Sequence, residues 1–105
     1  MEVEVVEFYE KKRKDKKKIL SGSMHVYIPE LDMDIRGIRV ARKQTRWFFF
    51  PPSGKALDEE TKQWVYYPLV DFVNPQKKKD FITALRQAGI KYITEMEEKK
   101  AAEKS

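Results

Sequence analysis

The sequence predicts an α+β fold, with an antiparallel sheet of four to five strands followed by one C-terminal helix packed on one face. Short runs of β-branched and aromatic residues, separated by turn signals, fill the first two thirds of the chain. From Asn74 onward, apolar residues recur at helical spacing. The 105 residues suit one domain, which we place at residues 1–90, with 91–105 as a charged extension, helical or frayed.

The first two strands follow from residue type and alternation. Residues 3–10 are rich in valine and aromatic residues, which favour strands. Residues 19–28 alternate, so that Leu20, Met24, Val26 and Ile28 point to one side. Serines, a histidine and a tyrosine point to the other side, which indicates a half-buried antiparallel strand.

A third strand at residues 33–42 contains an irregularity. Ile35 and Ile38 fall on opposite faces of a regular strand because they are an odd number of residues apart. A bulge near Gly37 would bring both isoleucines to the same side, and glycine accepts the backbone angles that a bulge requires. We therefore expect a bulge here.

Two further strands are expected on either side of a polar loop. Residues 46–50, RWFFF, form the fourth strand, and Pro51 and Pro52 end it because proline cannot donate to a ladder. Residues 53–62 are predicted to be a loop. Residues 63–68 form the fifth strand.

The helix has a clear start and two alternative ends. Asn74 is predicted as the N-cap, with Pro75 at the first helical position. Gly89 fits the residue after the helix end, where Leu85 and Ile90 would make the apolar contact of a Schellman motif. Alternatively, the apolar spacing of residues 90–96 extends the helix.

Several short motifs together resemble the SpoVG family of bacterial septation and sporulation regulators. They lie in DIRGIRV, in RWFFFPPS and in the segment after WVYY, and they span residues 3–88 in order. The matching residues are Ile38, Arg39, Val40, Trp47, Phe48, Pro52, Ser53, Pro68 and Leu69. The resemblance implies a small, dimeric, cytoplasmic protein that binds nucleic acid and affects gene expression.

The aromatic residues of the fourth and fifth strands are the first candidate functional surface. We assign Phe48 and Phe50 to the core, following the family's apolar pattern. The opposite face then carries Trp47, Phe49, Trp64 and Tyr66. A patch of this size indicates either a homodimer interface or a platform on which nucleic-acid bases stack.

The basic residues are the second candidate surface. Residues 11–18 carry seven positive charges in eight positions, which indicates either a solubilising hairpin tip or an electrostatic arm for phosphates. Further candidates lie near the third and fourth strands and in the first helical turn, where positive charge opposes the helix dipole. The candidate nucleic-acid-binding residues are Lys11, Lys12, Arg13, Lys14, Lys16, Lys17, Lys18, Arg39, Arg42, Lys43, Arg46, Lys77, Lys78 and Lys79.

Catalysis is not expected from this sequence. The absence of cysteine excludes disulfides, thiolate metal sites and cysteine catalysis. His25 is the sole histidine, and we interpret it as a surface residue. Asp32 and Asp34 are expected to balance neighbouring arginines rather than act as an acid–base pair or hold a metal. We expect no catalytic residue, metal, cofactor, small-molecule substrate or membrane contact.

Two functions follow from these features. Basic charge clustered in turns beside aromatic residues favours a non-enzymatic regulatory protein that binds DNA or RNA through basic loops, a partner that the net charge of +5 permits. From the aromatic face and the resemblance we expect this cytoplasmic protein to form a homodimer. The alternative is a protein-interaction or assembly module that uses an aromatic sheet face or a strand edge.

Overall fold

The computed structural model describes residues 1–11 and 19–103, so most of the predicted basic loop, residues 12–18, lies outside the described residues. Four antiparallel strands form one sheet in the order β1-β2-β3-β4. Two further strands form a separate hairpin, and one long helix contacts the sheet. The elements are β1 (Glu4–Glu10), β2 (Ile19–Ile28), a short 3-10 helix (Pro29–Leu31), β3 (Met33–Lys43), β4 (Arg46–Phe50), β5 (Ser53–Leu57), β6 (Trp64–Pro68) and α1 (Pro75–Glu103). The predicted α+β fold class is confirmed.

The central strands follow the predicted alternation, including the bulge. Leu20, Met24, Val26 and Ile28 are all buried. Met24 pairs with Ile38 while Val26 pairs with Ile35, so β3 has one residue more than β2 between the two pairs. Gly37 supplies the required backbone with a φ of 80°. The bulge therefore places both isoleucines in the core.

The segment predicted as a polar loop contains a strand. Residues 53–57 form β5, which pairs with β6 rather than leaving β6 as a fifth strand beside β4. Gly54 pairs with Tyr67, and the Tyr67 ring fills the space that a Cβ at Gly54 would occupy. The polar composition of β5 does not predict a strand. Cross-strand aromatic packing, rather than intrinsic strand propensity, stabilises the β5–β6 pairing.

The helix begins as predicted and ends later. The Asn74 side-chain oxygen accepts a hydrogen bond from the Gln76 backbone N–H at 2.9 Å, which confirms the N-cap. The helix then continues to Glu103, which confirms the alternative extension, so the predicted end at Gly89 is wrong. Gly89 is buried within the helix against Phe49, whose ring a Cβ would overlap. Among the described residues, no helix is long and apolar enough to span a bilayer.

The core lies between one sheet face and α1. Phe81, Leu85 and Ile93 of the helix are buried against side chains from all four strands. Phe49 of β4 belongs to this core with 8% of its surface exposed, whereas Phe48 and Phe50 are 39% and 45% exposed. The predicted assignment of Phe48 and Phe50 to the core is therefore wrong, and the four-stranded sheet has one covered and one open face.

Candidate nucleic-acid interface

Strand β4 presents one stacked aromatic pair on each face of the sheet. Successive strand residues point in opposite directions, so Trp47 and Phe49 face the helix while Phe48 and Phe50 face away. The rings of Trp47 and Phe49 are 6.1 Å apart and 11° from parallel. The rings of Phe48 and Phe50 are 6.2 Å apart and 3° from parallel. The two faces therefore carry nearly the same aromatic arrangement.

On the helix side, an arginine lies over the aromatic pair and is neutralised. The Arg42 guanidinium carbon is 4.9 Å from the centre of the Trp47 ring. Arg42 donates two hydrogen bonds to the Glu97 carboxylate of α1, at 2.6 and 2.9 Å. This bidentate pair raises the pKa of Arg42 and lowers the pKa of Glu97. Arg42, predicted to bind nucleic acid, therefore already has an anionic partner.

On the open side, the corresponding arginine has no acidic partner. Arg39 pairs directly across the strands with Phe50, and its guanidinium carbon lies 5.6 Å from the centre of that ring. Within residues 1–11 and 19–103, no carboxylate forms an ion pair with Arg39. Arg39 is also exposed. It is therefore a cation beside an exposed aromatic surface, available to an external anion.

An open groove of about 430 Å³ runs across this face beside Arg39. Ser21 and Ser23 form its floor, because β2 carries small residues where it crosses the centre of the sheet. Tyr9 of β1 lies at one side and Phe50 of β4 at the other. Lys11 also lines the groove. An aromatic-walled groove with two cations and hydroxyl groups can take a flat, anionic ligand.

The basic residues cluster at one end of the open face. Lys43 and Arg46 are exposed and pair directly across the β3–β4 turn. Like charges in that position are unfavourable, and the described residues form no ion pair with either side chain. An anion between the two side chains would remove that cost.

The opposite end of the open face is acidic. The Tyr27 hydroxyl donates to the Asp32 carboxylate at 2.7 Å, and this hydrogen bond raises the pKa of Tyr27. His25 Nε2 lies 3.5 Å from Asp34. Among the described residues neither aspartate forms an ion pair with an arginine, so the expectation that they balance arginines is not supported. A polyanion would lie at the basic end and avoid this one.

A second groove of about 280 Å³ adjoins the first where the hairpin meets the sheet. It is lined by Gly37, Pro52, Lys55 and Tyr66, and also by Arg39. Lys55 and Tyr66 are cross-strand partners on one face of the hairpin. The Lys55 ammonium lies 4.8 Å from the centre of the Trp64 ring. Arg39 therefore belongs to both grooves.

The remaining predicted residues are dispersed over the molecule. Trp64 and Tyr66 are exposed as predicted, but on the hairpin rather than beside β4, and Trp47 and Phe49 lie on the helix side. Lys77, Lys78 and Lys79 lie in the first turns of α1, and Lys78 pairs with Asp71 at 3.1 Å. Across the described parts of the chain, no group of three histidine, aspartate or glutamate side chains is placed to hold a metal ion.

Sequence reasoning places Ser21 and Ser23 on the polar side of β2, but it does not bring Tyr9 and Phe50 to the same face. The alternation of Ser21 and Ser23 with buried residues signals an open face, but it does not show which aromatics surround that face. Sequence reasoning also does not bring Lys55 to the second groove, because the composition of residues 53–57 predicts a loop. Its position there depends on pairing with β6, which local composition does not reveal.

Comparison with known proteins adds no assignment: no family model, curated protein or solved structure matches this chain. The resemblance to the SpoVG family therefore stays a prediction carried by short motifs. The surfaces described above are therefore the basis for inferring its function.

Proposed function

We propose that this protein is a non-enzymatic regulatory protein that binds nucleic acid through the open face of its four-stranded sheet. The observation that carries the proposal is the stacked Phe48–Phe50 pair with Arg39 beside it, because Arg39 has no acidic partner among the described residues. Nucleic acid supplies both complements, a flat base for the rings and a phosphate for the guanidinium. The lack of cysteine suits an intracellular location.

The helix-covered face supports this proposal because it carries a similar pair of aromatic rings and an arginine, together with the groups that contact them. There, a carboxylate holds Arg42 and the helix packs directly on the aromatic pair. A ligand of the open face must supply the same two components, an anion and a closely fitting surface. A phosphate and a base are joined in every nucleotide.

The basic segment at residues 11–18 extends this function. Lys11, the first residue of this segment and the one that the structure describes, lines the groove. We propose that the segment contacts phosphates without reading sequence and thereby adds a strongly salt-dependent attraction.

The proposal is tested by fluorescence anisotropy with labelled single-stranded and duplex DNA and RNA at several salt concentrations. Phe50→Ala removes one stacking ring, so we expect affinity to fall by about 5- to 150-fold, since stacking contributes about 1–3 kcal/mol per base. Arg39→Ala should weaken binding and flatten its salt dependence, whereas Lys91→Ala removes an exposed charge from α1 and should do neither. A wild-type protein that binds no nucleic acid at low salt contradicts the proposal.

A separate variant tests the basic segment. Replacing Lys12, Arg13, Lys14, Lys16, Lys17 and Lys18 by serine should reduce the slope of log affinity against log salt. The expected reduction is about 0.7 for each phosphate of a single strand that the variant no longer neutralises. An unchanged slope shows that these residues only keep the protein in solution.

A second candidate function, assembly with another copy of the chain, is favoured by the β5–β6 hairpin. Every residue of β6 is exposed, and a two-stranded hairpin is at best marginally stable by itself. Val65 and Tyr67 are 50% and 47% exposed on the hairpin face opposite Lys55 and Tyr66. Light scattering after size exclusion tests this homodimer: the wild type should be dimeric and Tyr67→Glu monomeric, whereas a monomeric wild type contradicts it.

A further inference from the structure

We infer that the open face takes single-stranded nucleic acid, with two successive nucleotides on either side of Arg39, the second one held by the hairpin residues Lys55 and Tyr66. This inference rests on the proposed function and specifies its ligand. It starts from the geometry of the two grooves, which meet at Arg39 and are otherwise lined by different elements.

A single strand is required because the site offers ring faces. Phe48 and Phe50 are nearly parallel to each other and partly exposed, so their uncovered aromatic surface suits a flat group. In a duplex, bases stack on their neighbours and present only their edges in the grooves. An unpaired base can lie on an aromatic ring, as in proteins that bind single strands.

The first nucleotide is assigned to the groove on the sheet. Its base would stack at Phe50, with Tyr9 at the other side of the groove. Ser23 lies in the lining between these two rings, and a serine hydroxyl can donate a hydrogen bond to a base or sugar or accept one from it.

The second nucleotide is assigned to the groove between sheet and hairpin. Tyr66 is 68% exposed, and its ring is available for stacking. Lys55 has no ion pair within the described parts of the chain and lines the same groove as Arg39. Two cations on either side of one groove suit the phosphate that joins two nucleotides. The prolines and Gly37 that complete the lining leave the backbone close to the ligand.

The test compares matched hairpin variants for binding of a labelled ten-nucleotide single strand. Tyr66→Ala should weaken binding by about 5- to 150-fold, the range expected when one base no longer stacks. Val65→Ala shortens an exposed side chain on the other hairpin face, one position away from Tyr66, and should change affinity by less than about 3-fold. Lys55→Gln should reduce the salt slope by about 0.7, whereas Lys62→Gln in the hairpin loop should leave it unchanged.

The results of these binding experiments distinguish a failure of the two-nucleotide site from a failure of nucleic-acid binding itself. If the wild type binds neither single strands nor duplexes, the proposed function fails. If it binds, but the duplex of equal length binds as tightly or Tyr66→Ala has no larger effect than Val65→Ala, the two-nucleotide site is wrong while nucleic-acid binding stands. Polyglutamate competing as effectively as the oligonucleotide points to an acidic protein partner and overturns the inference.

A second measurement avoids substitutions that could unfold the hairpin. The wild-type protein is photo-crosslinked to an oligonucleotide containing thiouridine, and the attached peptides are identified by mass spectrometry. We expect crosslinks both in residues 46–50 and in residues 53–68. Crosslinks restricted to the first segment, or found mainly on α1, overturn the assignment of the second nucleotide.

Discussion

The two faces of the four-stranded sheet carry the same arrangement of side chains, but it is covered by α1 on one face and exposed on the other. Each has two nearly parallel aromatic rings from β4 and an arginine from β3 over one of them. On the covered face, Arg42 is paired with Glu97 and Gly89 lets the helix approach Phe49. On the open face, Arg39 and Phe50 have no such complement in the described chain. An arrangement that is structural on one face is thus available for binding on the other.

Residue type alone therefore does not distinguish an aromatic residue of the core from one of a candidate binding site. Four consecutive aromatic residues occupy two environments because a strand alternates its side chains. The difference lies in what the rest of the chain brings to each face, which here is one carboxylate and one glycine from α1. Substitutions made in pairs, one on each face, should therefore give different phenotypes.

The largest difference is expected between Phe49→Ala and Phe50→Ala. The first removes a buried ring from the core and should destabilise the fold by about 3–5 kcal/mol. The second removes a ring that is 45% exposed, so we expect stability to fall by about 1 kcal/mol or less. Urea unfolding followed by circular dichroism measures both. Equal effects would show that the two faces are not distinct.

The close approach of the helix is tested at Gly89. A Cβ there would lie 2.8 Å from the Phe49 Cζ and closer still to another ring carbon, so Gly89→Ala should overpack the core by about 1–3 kcal/mol. Higher helix propensity offsets up to about 1 kcal/mol of that cost. Gln87→Ala, at an exposed position of the same helix, is the control and should be nearly neutral. A more stable Gly89→Ala protein would contradict the packing described for the covered face.

The two arginines should separate stability from binding. Arg42→Ala leaves Glu97 without its hydrogen bonds, so we expect stability to fall by about 1 kcal/mol, limited by solvent exposure of the pair. Arg39→Ala should leave stability within about 0.5 kcal/mol because this side chain is exposed and not ion-paired with a described residue. Thermal unfolding of both variants measures this difference in stability. If Arg39→Ala destabilises the protein more than Arg42→Ala, the assignment of Arg42 to structure and Arg39 to binding is wrong.

The smallest effect is the pH dependence of stability that the Arg42–Glu97 pair gives to the covered face. Arg42 holds the pKa of Glu97 below its ordinary value of 4.5 in the folded protein. The pair's contribution is therefore complete above that ordinary pKa and is lost as the pH falls through the lower folded pKa. In urea unfolding at pH 7 and pH 3, Glu97→Gln should remove part of the acid destabilisation, below about 1 kcal/mol, and Glu95→Gln should not.

The bulge, the helix start and all the strands except β5 could be predicted because each has a local cause. Gly37 between two isoleucines and Asn74 before Pro75 are signals that need no tertiary information. The helix end could not be predicted in this way, since Gly89 is equally typical of a C-cap and of a close contact. Only the position of Phe49 above it distinguishes the two.

The face assignment of β4 failed for a related reason. In WFFF both alternating sets are aromatic, so the pattern does not show which set is buried. The structure decides it through β3, where the bulge places Val40 and Arg42 on the helix side and their partners Phe49 and Trp47 with them. The candidate site depends on that register, and so it could not be read from the sequence.

Strand β4 is also an edge of the sheet, which has a consequence for aggregation. A short aromatic strand with an open edge is a template for pairing with other chains. Arg46 places a charge at its start, Pro51 and Pro52 follow its end without N–H groups, and Arg86 of α1 donates to the Trp47 carbonyl at 2.9 Å. These four residues disfavour edge-to-edge pairing of β4 with a strand of another chain. They do not cover the open face of the sheet.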